Sequence, residues 1–304
     1  MSTDAVERGL GSRPLLRADL SRIAANLHVP AEVVEKDYVL SYILVGVAEV
    51  PQLRGLHFKG GTALKKMYFG SYRFSEDLDF SAVDVPRGAD LDAVLAAATR
   101  AAANRLAERG KFEIELDRPP ESRPHPGGQE AFRIRVAFPW QRTPMVRVKL
   151  EITYDEPVLL PASFRSVLHG YEELGERFDD VRLATYSLEE IVAEKLRALR
   201  QTQVRLETRG WARPRTRDYY DLWRLLRDKG RALDHQLIRQ ILPTKFAHRS
   251  VAFQTASDFF TSELLTDARR NWQGNLGPFV SELPDVEIVL PELRQFVEQL
   301  IVPA

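Results

Sequence analysis

The 304-residue sequence contains no cysteine, which excludes a disulfide framework and a thiolate metal site. It also lacks a run of about 18 uncharged apolar residues, the length that a membrane-spanning helix needs. Its first residues, MSTDAVERGLGSRPLL, include acids and lack the apolar core of a signal peptide. These absences predict a soluble, cytoplasmic protein with no membrane partner.

The chain also has no net charge, because 43 lysines and arginines balance 43 acids. The charges are nevertheless unevenly spread: residues 195–249 hold 15 basic and only 5 acidic residues, a local net charge of +10. Such asymmetry is typical of a surface that binds a polyanion, for example nucleic acid or a triphosphate. Helices with solvated basic faces would give the same count, so charge alone leaves both interpretations open.

Hydrophobic periodicity separates an α/β part from a helical part. Residues 16–50 have helical spacing, LHF and RFSEDLDFSA have strand character, and TALKKMYF fits two helical turns. An alanine-rich helix follows at 90–109, then a strand at 111–117 and a Pro/Gly loop at 118–130. A hairpin comes next, with strands at 131–138 and 145–154. Beyond Pro161 the pattern is helical almost to the end. We therefore expect an α/β lobe with N-terminal helices over residues 1–160 and a helical lobe over 161–304.

A paired glycine follows the first predicted strand, in the sequence HFKGGTAL. Gly60, Gly61 and Thr62 stand at a strand-to-helix junction, where free backbone N–H groups and the helix dipole favour an anion. Glycine lets a phosphate approach the backbone, and the Thr62 hydroxyl is a further donor. The Walker spacing is absent, so this is not a P-loop. By itself the GGT sequence favours a plain structural turn.

Two aspartates, Asp77 and Asp79, share one face of the next predicted strand, about 6–7 Å apart. Acids so close repel each other unless a cation lies between them, and their hard oxygen ligands suit Mg²⁺. If the strand VKLEIT lies beside this one, Glu151 completes a carboxylate cluster for two Mg²⁺ ions. The alternatives are solvent-facing acids at a strand end and an edge-strand Glu151 paired with a lysine.

Two further candidate sites lie in the helical half. YSLEEIVAEKLRALR begins with a capping box, and Lys195 lies beside the apolar face of that helix. Its ammonium group either extends to water or enters a cleft to bind phosphate. RPRTRDYYDLWRLL places Asp218 and Asp221 in the first turns of another helix, where the dipole alone would also favour acids.

Taken in order, the segments EKDYVLSYIL, FKGGTALKKMYFGSYRFSEDLDF, VKLEIT, AEKLRALR and RTRDYYDL resemble the AbiEii/AbiGii toxin family. These are nucleotidyltransferase-like toxins of type IV and related toxin–antitoxin systems, and they include the MenT toxins. The resemblance spans about residues 30–300 and is most specific over 58–80. It implies an α+β fold: a polymerase-β-like nucleotidyltransferase lobe with a mixed sheet, a mostly helical C-terminal lobe, and an active site in the cleft.

The resemblance also implies roles for the residues around the paired glycine. Gly60, Gly61 and Thr62 would bind the triphosphate, and Asp77 and Asp79 would bind Mg²⁺ and take part in catalysis. The threonine after the glycines and the longer spacing to Asp77 depart from the shortest family pattern. Neither departure removes a ligand.

Four more residues match family positions. Lys195 would neutralise the triphosphate, and Asp218 matches an aspartate of the helical lobe that is needed for toxicity. Glu151 matches a third metal-binding carboxylate that helps to deprotonate the acceptor. Ser75, among the nucleotide-binding candidates, matches a serine that becomes phosphorylated during self-inhibition in some relatives.

The expected activity is Mg²⁺-dependent transfer of a nucleoside monophosphate from an NTP to an acceptor hydroxyl, with release of pyrophosphate. The basic segment favours an RNA acceptor; the family points to the tRNA 3′ end and to a cognate antitoxin as protein partner. Three alternatives stay open: nucleotidylation of a small molecule or protein, kinase-type phosphotransfer with self-phosphorylation at Ser75, and a non-catalytic binding module. Retention of every candidate residue argues against the last.

Overall fold

The computed structural model describes residues 16–120 and 128–301. The helices are α1 Leu16–Leu27, α2 Ala31–Glu49, α3 Gly60–Ala63, α4 Gly88–Leu106, α5 Leu188–Arg209, α6 Thr216–Lys229, α7 His235–His248, α8 Ser262–Leu276 and α9 Val286–Ile301. The strands are β1 Leu56–Lys59, β2 Asp77–Ala82, β3 Glu113–Asp117, β4 Gln129–Ala137, β5 Val146–Thr153, β6 Ser163–Arg165 and β7 Leu183–Thr185.

Within the described ranges, seven strands form one mixed sheet in the order β3-β4-β5-β2-β1-β7-β6. The pairs β2–β5 and β1–β7 are parallel, and the remaining neighbours are antiparallel. The predicted hairpin is confirmed as β4 and β5. Because β2 lies between β5 and β1, its two aspartates sit near the middle of the sheet.

One hydrophobic core lies between the sheet and the helices α1, α2 and α4. Leu78 and Phe80 of β2 and Leu150 and Ile152 of β5 point into it, which leaves the alternate side chains on the opposite face. The second half of α2 is buried on nearly all sides because it contacts α1, α4 and the sheet. These elements hold the strands from behind, and the polar side chains of β2 lie on the other face.

A second core is formed by α5 to α9, which pack on one another. The first core continues as far as Leu183, so we use the name sheet lobe for the chain through β7 and helical lobe for α5 to α9. The expectation that the chain is helical from Pro161 is wrong for β6 and β7. These three-residue strands are too short to show an alternating pattern, and β7 is buried throughout. The domain division after residue 160 stays a prediction.

The segment after the paired glycine differs from the regular helix that we expected. One α-helical turn, α3, is followed by a wider π-helical turn at Leu64–Phe69, which closes where the Gly70 N–H donates to the Lys65 carbonyl at 2.9 Å. In this turn Lys66 is fully buried, and its Nζ donates to Asp37 Oδ2 at 2.6 Å. The wide turn therefore anchors the glycine segment to α2, and such turns are frequent at functional sites.

Close packing of α2 on α4 gives a test of this architecture. A Cβ at Gly46 would lie 2.2 Å from the carbonyl oxygen of Ala98, whereas one at Gly274 in α8 would meet nothing within 4 Å. We expect Gly46→Ala to lower the free energy of unfolding by about 1–3 kcal/mol through overpacking. Gly274→Ala, the matched control, should raise it by up to about 1 kcal/mol. Urea unfolding of both variants checks this, and a stabilising Gly46→Ala would contradict the packing.

Candidate active site

A cleft of about 340 Å³ opens between the sheet lobe and the helical lobe. It brings together Gly60, Asp79 and Glu151 from the sheet side and Lys195 and Asp218 from the helical side. These positions are as much as 158 residues apart in the chain, yet each was a candidate from the sequence. The cleft is therefore the candidate active site.

The register of three strands places a row of charged side chains across the floor of the cleft. Asp79 on β2 is paired with Glu151 on β5 and with Lys59 on β1, and Asp77 is paired with Lys149. The strand pairing on which the Glu151 hypothesis depended is thus confirmed, and β5 is not an edge strand. Glu151 also contacts Lys149 at 2.6 Å and accepts a hydrogen bond from Gln129.

Unlike Glu151, the two aspartates Asp77 and Asp79 have no ion-pair partner among the described residues. Burial raises the pKa of Asp79 to about 6; Lys59 opposes that shift, while Glu151 and Asp77 add to it. Partial loss of water also raises the pKa of Asp77, which lies nearer the surface and borders a neighbouring depression rather than the cleft itself. A site of this kind favours a bound cation.

In the described ranges, no group of three histidine or acidic side chains is arranged to hold a metal ion by itself. Mg²⁺, however, is usually bound through one or two carboxylates together with phosphate oxygens of a substrate. Asp79, flanked by Asp77 on its own strand and Glu151 on the next, supplies oxygen donors of that kind. The donor set therefore fits a Mg²⁺ ion that binds with a triphosphate, and not a preformed all-protein cage.

The paired glycine forms the end of the row. Gly60 has a φ of +81°, and a Cβ there would lie 2.9 Å from Asp79 Oδ2. A Cβ at Gly61 would lie 2.3 Å from Nη2 of Arg73. Both positions need glycine: the first for its left-handed backbone and the second for space beside a guanidinium. Bare backbone consequently faces both a carboxylate and an arginine.

Thr62 and Ser75 lie behind the glycines. The Thr62 side chain is buried, and its Oγ1 donates to the carbonyl oxygen of Asp77 at 2.6 Å. This bond connects α3 to the start of β2. Because the hydroxyl hydrogen is used in it, Thr62 does not offer that hydrogen to a ligand in this structure. The hydroxyl of Ser75 would lie 3.1 Å from a Cβ at Gly61, so it borders the glycine segment. β2 begins only at Asp77, later than we expected.

On the helical side, Lys195 is held between two aspartates. Its Nζ donates to Asp218 Oδ1 at 2.8 Å and to Asp221 Oδ2 at 2.7 Å, and its side chain is only 8% exposed. Burial alone would lower the pKa of Lys195, but the two carboxylates raise it above its ordinary value. Lys195 is therefore a charged group inside the cleft wall and does not extend into water.

Asp221 connects this lysine to the sheet lobe. It is fully buried and accepts hydrogen bonds from Nε and Nη2 of Arg73, both at 2.6 Å, and one from the Tyr72 hydroxyl at 3.0 Å. Despite the burial, Arg73 and Lys195 hold the pKa of Asp221 well below its usual range. Because Arg73 also abuts Gly61, a continuous chain of contacts joins the glycine segment to Lys195.

Several residues of the site were missed by sequence reasoning. Lys59 forms an ion pair with Glu156, which also accepts a hydrogen bond from Ser81 at 2.9 Å, and burial lowers the pKa of Lys59 to about 8. Arg73 was read only as part of a family motif, and Asp221 only as a helix-terminal acid. An arginine among apolar neighbours in SYRFSED was the available signal, since a buried guanidinium needs a carboxylate partner.

Comparison with known families decides the identity. The family described as "Nucleotidyl transferase AbiEii toxin, Type IV TA system" matches residues 42–299. The chain belongs to the AbiEii nucleotidyltransferase toxin family. Its resemblance to that family, its enzyme class and its association with toxin–antitoxin systems, which the sequence predicted, are thereby confirmed.

The fold of this AbiEii-family chain is similar to that of MenT4, a nucleotidyltransferase toxin from Mycobacterium tuberculosis H37Rv. The TM-score is 0.61 at 21% sequence identity, over 94% of this chain and 88% of that one. This likeness confirms the predicted α+β fold with a mixed sheet and many helices. No curated protein sequence matches the chain. Among the described residues, no helix is long and apolar enough to cross a membrane.

The Arg73–Asp221–Lys195 contacts predict a large stability difference between two aspartates of α6. Asp221→Asn leaves two buried cations poorly compensated, so we expect it to lower the free energy of unfolding by about 3–5 kcal/mol. Asp228→Asn, which removes only a partly exposed pair with Arg224, should cost no more than about 1 kcal/mol. Equal losses in urea unfolding would show that the buried network is not stabilising.

Because the pKa of Asp79 is raised, replacement of this aspartate by a neutral residue should stabilise the protein by an amount that depends on pH. Its folded-state pKa of about 6 exceeds the unfolded value, so the folded protein loses stability as pH rises from about 4 through 6. Asp79→Asn should therefore raise the free energy of unfolding by about 1–3 kcal/mol at pH 7.5, with most of the gain absent at pH 4. The measurement is urea unfolding in EDTA at both pH values.

The control for that experiment is Asp90→Asn, an exposed aspartate of α4, which should change stability by less than about 0.5 kcal/mol at either pH. A gain for Asp79→Asn that is the same at both pH values would rule out the proposed charge penalty, as would a loss at pH 7.5.

Proposed function

We propose that the chain transfers a nucleoside monophosphate from an NTP to the 3′ end of tRNA, in a Mg²⁺-dependent reaction that releases pyrophosphate. The observation that carries the proposal is the single cleft lined by Gly60, Asp79 and Glu151 on one wall and by Lys195 on the other. A triphosphate, an oxygen-binding cation and an acceptor hydroxyl each have matching groups there.

The triphosphate is bound by the glycine segment and Lys195. The first N–H groups of α3 have no partners within the helix, and the missing side chains at Gly60 and Gly61 let phosphate oxygens approach them. Lys195 provides a fixed positive charge because Asp218 and Asp221 hold its ammonium group in place. Preorganised charge of this kind lowers the barrier more than a mobile side chain would.

Mg²⁺ fits at Asp79 with Asp77 and Glu151, where it would offset the negative charge of the phosphates and activate the attacking oxygen. Asp79 and Glu151 orient their oxygens from paired positions on neighbouring strands. Glu151 accepts the proton of the acceptor hydroxyl as that oxygen bonds to the α-phosphorus. The bond between the α-phosphorus and the bridging oxygen breaks, and pyrophosphate leaves.

The cleft favours an anionic acceptor over a cationic one. Arg197, Arg215 and Arg249 line it. Arg197 is paired with Glu194 and Arg215 with Asp218, whereas Arg249 has no ion-pair partner among the described residues. A polycationic aminoglycoside would be repelled by these arginines, whereas an RNA phosphate would be attracted.

A modified tRNA 3′ end cannot be aminoacylated, which accounts for toxicity. Membership of a toxin–antitoxin family implies an antitoxin partner, and a tRNA substrate places the reaction in the cytoplasm.

The test is to incubate the purified protein with deacylated tRNA, Mg²⁺ and each α-labelled NTP in turn. We expect label in tRNA with one or two of the four NTPs, and a loss of at least about 100-fold in Asp79→Asn. Asp90→Asn, which changes a residue outside the cleft lining, should retain wild-type incorporation.

Two outcomes would overturn the proposal. Label from the γ-phosphate on the protein, without α-label in tRNA, would identify phosphotransfer, with Ser75 as the first site to sequence. α-Label in a small molecule or in a protein would support nucleotidyl transfer but show that the acceptor is not tRNA.

A further inference from the structure

The connection between α5 and α6 lies beside the cleft. Gly210 ends α5 with a φ of +68°, and its N–H donates to the Leu206 carbonyl at 2.9 Å, so the chain turns sharply out of the helix. Five residues later, Arg215 lines the cleft and contacts Asp218. What this connection presents to solvent is therefore presented next to the site of chemistry.

Trp211, in this connection, is 68% exposed. The contrast with Trp223 and Trp272 is sharp, since those side chains are 3% and 5% exposed. An indole ring offers a large flat surface, and burial of that surface against a partner is favourable. The sequence around it, ETRGWARPRTR, places basic residues on both sides of the ring.

Guanidinium groups crowd the same surface. Arg209 and Arg213 are exposed, and burial together with the nearby arginines 215, 209, 197 and 249 lowers the pKa of Arg205. In the part of the chain that the structure describes, the guanidinium groups of Arg205, Arg209 and Arg213 have neither an ion-pair nor a hydrogen-bond partner. Unpaired like charges destabilise the free protein, so their concentration points to an anionic ligand.

The extent of this surface exceeds a single nucleotide. α5 rises about 1.5 Å per residue, so Arg205 lies about 15 Å along the helix from Lys195. A triphosphate bound at Gly60 and Lys195 cannot also reach Arg205 and Arg209. A polymer with phosphates at regular intervals can, and the path from Trp211 to the cleft runs past Arg215.

We propose that the Trp211 surface, defined as Arg205, Arg209, Trp211 and Arg213, binds the unpaired end of the acceptor RNA. Trp211 stacks on an unpaired base, and the arginines contact backbone phosphates. A base inside a duplex has no free face for Trp211, so a single-stranded end is preferred over a blunt helix. Stacking accepts any base, so this surface selects an accessible 3′ end and not a sequence. The inference rests on the proposed RNA acceptor.

Binding is measured in the Asp79→Asn background, where the RNA is not consumed. The probes are a fluorescein-labelled eight-nucleotide single-stranded RNA and a fluorescein-labelled blunt-ended RNA duplex without a loop. We expect Trp211→Ala to weaken binding of the single strand about 10-fold and Trp211→Phe to retain most of the affinity. Phe164→Ala, which removes another exposed ring (61% exposed) on β6, is the matched control and should change nothing.

Salt dependence tests the arginines separately. For the single strand, the log of the association constant falls linearly with the log of the salt concentration. Arg205→Gln and Arg209→Gln should each make this slope shallower by about 0.7. Arg182→Gln, an exposed arginine of the sheet lobe, should leave the slope unchanged. In the labelling reaction, Trp211→Ala should raise KM for tRNA and leave both kcat and KM for the NTP unaltered.

Each contrary result has its own meaning. Wild-type affinity in Trp211→Ala would overturn the proposal. The exposed ring would then be a candidate contact for a protein such as the antitoxin. Equal binding of the blunt duplex would overturn the choice of an unpaired end. Absence of RNA binding by the parent protein would overturn the surface altogether. If RNA binds as expected but tRNA is not labelled, the proposed reaction fails while the surface stands.

Discussion

The bidentate ion pair between Arg73 and Asp221 joins the two halves of the candidate active site. Arg73 abuts Gly61 in the sheet lobe, and Asp221 holds Lys195 in the helical lobe. Buried charges are costly unless every partner is present, so these contacts stabilise only the complete arrangement. The width of the cleft between the glycine segment and Lys195 therefore depends on one carboxylate with no exposure to water.

The floor of the cleft has the opposite character, because Asp79 lies there without an ion-pair partner among the described residues. The row of Lys59, Asp79 and Glu151 follows from strand register, and burial makes the ionised form of Asp79 unfavourable. Local instability of this kind is common at functional sites, where a ligand supplies the missing charge. Nucleotidyltransferases use an NTP and a divalent cation, and the proposed function places both here, with Lys195 of the helical lobe as the counter-charge for the triphosphate.

Short-range features of this arrangement could be predicted from the sequence. Alternation alone placed Asp77 and Asp79 opposite Leu78, and the glycine pair marked the strand-to-helix junction. The π-helical turn could not be predicted, since it depends on burial of Lys66 against α2. Nor could the pairing of Arg73 with Asp221, which are 148 residues apart, because the partner of a buried charge is set by tertiary packing. The three-residue strands β6 and β7 carry no periodic signal.

The central claim is that both walls of the cleft bind one nucleotide, and calorimetry tests it most directly. The titrant is each NTP analogue with a methylene bridge between the α- and β-phosphorus atoms, with Mg²⁺ and with EDTA. The account predicts Mg²⁺-dependent binding to the wild type, weakened at least about 10-fold both by Asp79→Asn on one wall and by Lys195→Gln on the other. Undiminished binding by either folded variant, or the same affinity in EDTA, would contradict it.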